Sequence, residues 1–205
     1  MEKLAICGGT FNPIHNGHLH IAKGFCERLG FDRLLLMPAS VPPHKLAPHL
    51  ASAQHRLAMC QLAAESTGFE ASDLELRRDG PSYTVDTLQE LHNEYPNTAL
   101  YLIMGADMFL TLEQWYKSTT IFQLAKLCVA PRDDQNKQAL LRHAKHLKQL
   151  GAQSFVEDLP LLPVSSTMIR DRRKQGLSIK GLVPDSVNEY ILTHDLYGGV
   201  PDDTI

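Results

Sequence analysis

His15 and His18 stand three positions apart, directly after a Gly8-Gly9-Thr10 turn and at the start of a helical pattern. Gly8 and Gly9 lack Cβ atoms, so backbone N–H groups there can approach an anion closely. A helix beginning at the same place adds its dipole and its unpaired N–H groups. Together these residues describe a phosphate site with two imidazoles aimed into it. Three plainer readings stand beside that one: a tight Gly-Gly turn, a surface or capping histidine, and half of a metal site. Catalytic zinc takes three protein ligands plus water, and no nearby Cys or carboxylate completes such a set. Neither GxGxxG nor GxxxxGK[ST] occurs in the chain, so those two nucleotide loops are unsupported.

A second group lies far along the chain, at Val164-Ser165-Ser166-Thr167-Met168-Ile169-Arg170. Hydroxyls and free N–H groups gather at a helix start, and Arg170, one turn in, can present a planar fork to phosphate. The alternative is an ordinary capped helix with Arg170, Arg172, Arg173 and Lys174 on its wet side. Two further stretches fall between these groups. Gly80-Pro81-Ser82-Tyr83-Thr84 is a turn entering a helix, suited to an anion or to simple capping. Asp107, just past an apolar run, can accept two ribose hydroxyls or cap a helix. Trp115, the single tryptophan, can stack on a flat ring or fill core.

The elements that hold these residues follow from apolar spacing. Residues 3–7, 33–38, 99–104 and 126–131 read as buried strands, with weaker strands at 69–76 and 153–157. Helical stripes run through Leu19, Ala22, Cys26 and Leu29, then Ala53, Leu57, Cys60 and Ala64 after a Ser52 cap. Others run through Val85, Leu88 and Leu91, and through Leu140, Ala144, Leu147 and Leu150. The His143, Lys145, His146 and Lys148 run reads as the wet face of the last of these. Strands alternating with helices predict an α/β fold with a mainly parallel, doubly wound sheet and helices on both faces. The expected organisation is one domain over 1–205, with a C-terminal helical portion at about 164–197 and a fraying tail after Tyr197.

At 205 residues, 43% hydrophobic and 21% charged, the chain is of ordinary globular composition. A net charge of −3 gives no reason to expect nucleic acid or an anionic membrane as partner. Cys7, Cys26, Cys60 and Cys128 are scattered without a CxxC pair, which suits buried thiols in a reducing compartment. No signal peptide is expected and no run of 18 apolar residues occurs, so the expectation is a cytoplasmic protein.

Gly9-Thr10-Phe11-Asn12-Pro13-Ile14-His15-Asn16-Gly17-His18 resembles the (G/S)-x-F-(D/N)-P-x-H-x-G-H signature of the nucleotidyltransferase superfamily. The Pro-Ser-Tyr-Thr turn, the G-x-D…W order and the (I/V)-S-S-T-x-I-R string resemble the bacterial nicotinate-nucleotide adenylyltransferases. The four stretches keep the order and approximate spacing of that family. The resemblance implies a Rossmann-like fold and adenylyl transfer from ATP to nicotinate mononucleotide, with Mg²⁺ carried mainly by the ATP phosphates. It places Gly8, Gly9, Thr10, Phe11, His18, Gly105, Asp107, Ser165, Ser166, Thr167 and Arg170 at ATP. It places Lys45, Ser82, Tyr83, Thr84, Asp107, Trp115 and Arg132 at the mononucleotide, and gives catalytic roles to His15, His18 and Arg170. It assigns no protein metal ligand. The implied partners are small molecules, not nucleic acid or membrane, and homo-oligomer formation stays open. Asn12 stands where bacterial members more often carry Asp, so it is not assigned as base or metal ligand. The alternatives are a sister transferase, which would not need the Pro-Ser-Tyr-Thr turn with Trp115, and a non-catalytic nucleotide sensor.

Overall fold

The structure, a computed structural model, describes residues 1–40 and 50–198. Six strands form one sheet: β1 (Glu2–Gly9), β2 (Arg33–Pro38), β3 (Glu70–Ala71), β4 (Thr98–Met104), β5 (Ala125–Val129) and β6 (Ser154–Val156). Their order is β3-β2-β1-β4-β5-β6, and every neighbouring pair is parallel. Among the described residues, eight α-helices connect or follow the strands. They are α1 (Asn16–Leu29), α2 (Ala53–Thr67), α3 (Thr84–Glu94), α4 (Ala106–Leu110), α5 (Ser118–Leu124), α6 (Asp134–Gln149), α7 (Ser166–Lys174) and α8 (Asp185–Thr193).

Side chains alternate across a strand, and the core divides accordingly into two layers. Ala5, Cys7, Leu34, Leu36 and Ile103 pack against α1, α2, α7 and α8. Leu4, Ile6, Leu35, Leu102 and Met104 pack against α3, α4, α5 and α6. Helices therefore cover both faces, as the strand–helix alternation predicts. The sheet order reverses between β1 and β4, and a crevice opens beyond the carboxyl ends of those strands. Both the Gly8-Gly9 turn and Gly105 sit at that edge.

Several expectations need correction. The 69–76 segment is a strand only at Glu70–Ala71. Ser72 then turns the chain by accepting the Leu74 N–H at 3.3 Å, and Leu74–Arg77 is a 3₁₀ turn. On α1 the buried residues are Leu19, Ala22 and Phe25, while Cys26 and Leu29 are only half-buried. On α2 the buried stripe shifts to Arg56, Met59, Cys60, Ala63 and Ala64, leaving Leu57 half-buried. Leu150 is 44% exposed because α6 ends at Gln149 and Leu150 is its cap. His143 leaves the wet face of α6: its ring meets Phe109 edge-on at 5.5 Å and its Nε2 is buried. Helix α5, rich in β-branched residues, gave no sequence signal.

Candidate active site

The turn between β1 and α1 is built around its histidines. His15 is the N-cap of α1, its Nδ1 accepting the His18 N–H at 3.3 Å. His18 Nδ1 accepts the His15 N–H in return at 3.2 Å, a reciprocal box made from two imidazoles. A backbone N–H can only donate, so each Nδ1 is the acceptor nitrogen and each neutral ring carries its proton on Nε2. The rings stack at 3.6 Å between centroids, and Phe11 braces His18 edge-on at 5.0 Å. Phe11 is itself 3% exposed. A Cβ at Gly17 would lie 2.9 Å from Val164 Cγ1 and 3.1 Å from the His15 ring, so a side chain there would push a neighbour aside.

Burial pushes the His15 imidazole from 6.5 down to about 4, so it is neutral at physiological pH. The unfolded chain therefore binds a proton there before the folded chain does, and stability must fall as pH drops from about 6.5 toward 4. The loss is expected to be about 2 kcal/mol between pH 7 and pH 5. His15→Asn keeps a capping oxygen without the titration. Urea midpoints should shift less with pH in that variant than in wild type, and equal shifts would contradict the assignment.

Asn12 is 4% exposed, and its Oδ1 accepts from the Ala51 N–H (3.1 Å) and the Tyr197 hydroxyl (2.8 Å). The position is a structural tie. Tyr197, the last residue before the tail expected to fray, is thereby held at the site. Helix α7 docks on the same turn. Ser166 Oγ donates to the Pro13 carbonyl at 2.8 Å, and Arg170 Nη1 to the Asn12 carbonyl at 2.8 Å. Arg170 Nη2 also donates to Thr167 Oγ1, while Ser165 caps α7 by accepting the Met168 N–H. The two serine- and histidine-bearing helix starts thus meet, although about 150 residues separate them in sequence.

Two cavities flank the β1–β4 seam and share Gly8, Ile103, Met104 and Gly105 as floor. One is lined by His15, His18 and Arg132, with Cys7 at its base. Burial pushes the Cys7 thiol up to about 12, which rules it out as a nucleophile at neutral pH. The other is lined by Thr10, Ser82, Tyr83, Thr84 and Trp115, with Glu75 and Tyr116. A Cβ at Gly8 or Gly105 would meet no atom within 4 Å, so that floor is open to a ligand's close approach. Tyr83 caps α3 without a side-chain hydrogen bond, which leaves first-turn N–H groups to a ligand.

The structure separates some residues that the sequence groups. Arg132 lines the histidine cavity, not the tryptophan one, and pairs with Asp107 at 2.7 Å at the exposed rim. Ser82 Oγ accepts the Ser40 N–H at 2.9 Å, so Ser82 ties the wall together. Glu75 accepts from Thr87 at 2.9 Å, and burial holds its carboxyl above the usual range. Lys45 lies outside the described residues. Sequence reasoning passed over Glu75, Arg56 and Tyr197. Of these only Arg56 carried a signal, as a charge on the apolar stripe of α2. No helix among the described residues is long and apolar enough to cross a membrane, and Cys7, Cys26, Cys60 and Cys128 are free thiols.

A parallel sheet with 3-2-1-4-5-6 strand order and a His-x-x-His helix start at its switch point defines a nucleotidyltransferase-type site. The chain matches the cytidylyltransferase-like family over residues 6–172 and belongs to it. Relatives at closer range carry a narrower description, "probable nicotinate-nucleotide adenylyltransferase". One from Synechococcus sp. (strain JA-2-3B'a(2-13)) is 45% identical over 198 residues, covering 96% of this chain and 97% of the relative. Another from Synechococcus sp. (strain JA-3-3Ab) is 43% identical over 197 residues, covering 96% and 95%. Among solved structures, the Plasmodium falciparum nicotinic acid mononucleotide adenylyltransferase complexed with NaAD superposes with a TM-score of 0.76. It is 18% identical, with 96% of this chain and 98% of that one covered, a likeness of fold.

Proposed function

We propose that the protein transfers the adenylyl group of ATP to the phosphate of nicotinate mononucleotide, giving nicotinate adenine dinucleotide and pyrophosphate. One observation carries this reading: two cavities meet at Gly8 and Gly105, one bearing the paired imidazoles and the other an aromatic wall beside a helix start. ATP occupies the first and the mononucleotide the second, so the acceptor phosphate meets the α-phosphate at the shared floor. An acceptor phosphate oxygen attacks the α-phosphorus, and the bond to the β-phosphate oxygen breaks. The attacking oxygen is already anionic at neutral pH, so the protein needs no general base. Its work is positioning and charge stabilisation.

His18 donates from Nε2 to the α-phosphate, with His15 and Thr10 beside it. Arg170, Ser165, Ser166 and Thr167 border the leaving phosphates from α7. Asp107 and Arg132 guard the rim toward the ribose. No cluster of three or more His, Cys, Asp or Glu able to hold a metal occurs among the described residues. The donor-rich surroundings instead fit Mg²⁺ arriving on the triphosphate, held by phosphate oxygens and water. When bound, it supplies neutralisation of phosphate charge. MgATP with a panel of mononucleotides, followed by pyrophosphate release, tests the proposal. Release is expected with nicotinate mononucleotide, and failure with every acceptor would overturn it.

Arg170 presents two nitrogens to the Asn12–Thr167 region, a geometry one ammonium cannot copy. Arg170→Lys is expected to weaken ATP binding roughly ten- to a hundredfold, the scale of a lost charge-assisted bond. Nicotinate mononucleotide affinity should stay near wild type. Calorimetry giving unchanged ATP affinity would contradict the role.

A further inference from the structure

Arg56 is the one fully buried charge that the proposed reaction leaves unused among the described residues, at 1% exposure. Its guanidinium donates to four main-chain carbonyls: Nε to Ala51 (3.1 Å), Nη1 to Thr10 (2.9 Å) and Ala39 (2.6 Å), and Nη2 to Ser40 (3.1 Å). These oxygens belong to three separate segments. Thr10 lies in the phosphate turn, Ala39 and Ser40 extend β2, and Ala51 leads into α2. The Ala39 N–H donates to the Gly9 carbonyl, and the Ser40 N–H to Ser82 Oγ in the wall of the second cavity. No carboxylate pairs with Arg56 among the described residues, so these carbonyls are its compensation. Burial pushes its guanidinium below its ordinary value, a cost the packing bears for the sake of the fork.

We propose that Arg56 is a positioning residue for the transfer reaction, clamping the phosphate turn to the Ser40–Ser82 wall so that the two cavities keep a fixed separation. It touches neither substrate and acts through Thr10 on one side and through Ser40 and Ser82 on the other. Each substrate keeps its own contacts when the clamp loosens, but their phosphates no longer meet in line. Misplacement by about 1 Å costs on the order of 10²-fold in rate. The signature is therefore a fall in kcat without a matching change in affinity. The kinetic part of this inference rests on the adenylyl-transfer reading.

The test uses Arg56→Lys, which keeps the charge and loses the planar fork, and Arg56→Met, which loses both. In Arg56→Lys, kcat is expected to fall roughly 10- to 100-fold, with both substrate affinities within about threefold of wild type. Amide hydrogen exchange should quicken in residues 8–12, 39–40 and 82–84 and stay unchanged in β4 and β5. If Arg56→Met does not fold, Arg56→Lys alone decides. Wild-type kcat in Arg56→Lys would overturn the proposal. So would a kcat loss matched by weaker binding of both substrates and exchange quickened throughout. Should wild type release no pyrophosphate, the reaction falls, and exchange still judges the clamp. Quickening confined to the two walls sustains it, and none overturns it.

Discussion

His18→Ala is expected to lower kcat by roughly 10²–10³, the scale for losing one preorganised donor at developing charge. The reason lies in how the ring is held. Its Nδ1 is engaged by the His15 N–H, its face by the His15 ring and its edge by Phe11. The ring has little freedom left, and in the neutral tautomer its remaining nitrogen is a donor. An imidazole fixed before substrate arrives needs no reorganisation when charge builds on the phosphates. On the proposed reading, ground-state binding of ATP draws on many other donors, including the Gly8-Gly9 turn and α7, so KM should move far less than kcat. Steady-state kinetics over both substrates separate the two effects. Turnover near wild type would remove His18 from the chemistry.

The second large effect is a preference for nicotinate over nicotinamide mononucleotide. The acid brings a carboxylate, which calls for donors and local positive potential. Helix α3 supplies both, since Tyr83 caps it without a side-chain bond and Thr84 adds a hydroxyl at its first position. The Ser82 Oγ already accepts the Ser40 N–H. On the proposed reading the first-turn main-chain N–H groups of α3 face the carboxylate, and these cannot become acceptors. An amide would turn its own N–H₂ donors toward them, leaving polar groups mismatched. That mismatch costs about 1–3 kcal/mol, roughly ten- to a hundredfold or more in kcat/KM. Side-by-side kinetics at neutral pH check the ratio. Equal or reversed efficiencies would move the acceptor assignment elsewhere while leaving adenylyl transfer standing.

Local signals in the sequence carried the parts of the fold that depend on local chemistry. β1, β2 and β4 are uninterrupted apolar runs because both faces of a parallel sheet are covered. The His15–His18 turn and the Ser165 cap were readable because their residues lie within one helical turn of each other. The exact buried stripe was less readable, since spacings of three and four both suit a helix. Phe25 therefore displaced Cys26, and Arg56 and Met59 displaced Leu57. The ties between distant segments left no mark. Tyr197 to Asn12 spans 185 residues and Arg170 to Asn12 spans 158. Arg56 binds carbonyls that any residue would present. Spacing cannot report such contacts: for Arg170 and Arg56 the main chain supplies the acceptor regardless of residue type, and for Tyr197 the two side chains lie at opposite ends of the chain.

The most direct measurement follows the α-phosphate. ATP labelled there is incubated with Mg²⁺, nicotinate mononucleotide and the wild-type protein, and the products are separated. The account predicts that label moves into a dinucleotide in step with unlabelled pyrophosphate, and only when the mononucleotide is present. Label that stays in ATP, or appears as AMP whether or not the acceptor is added, would contradict it.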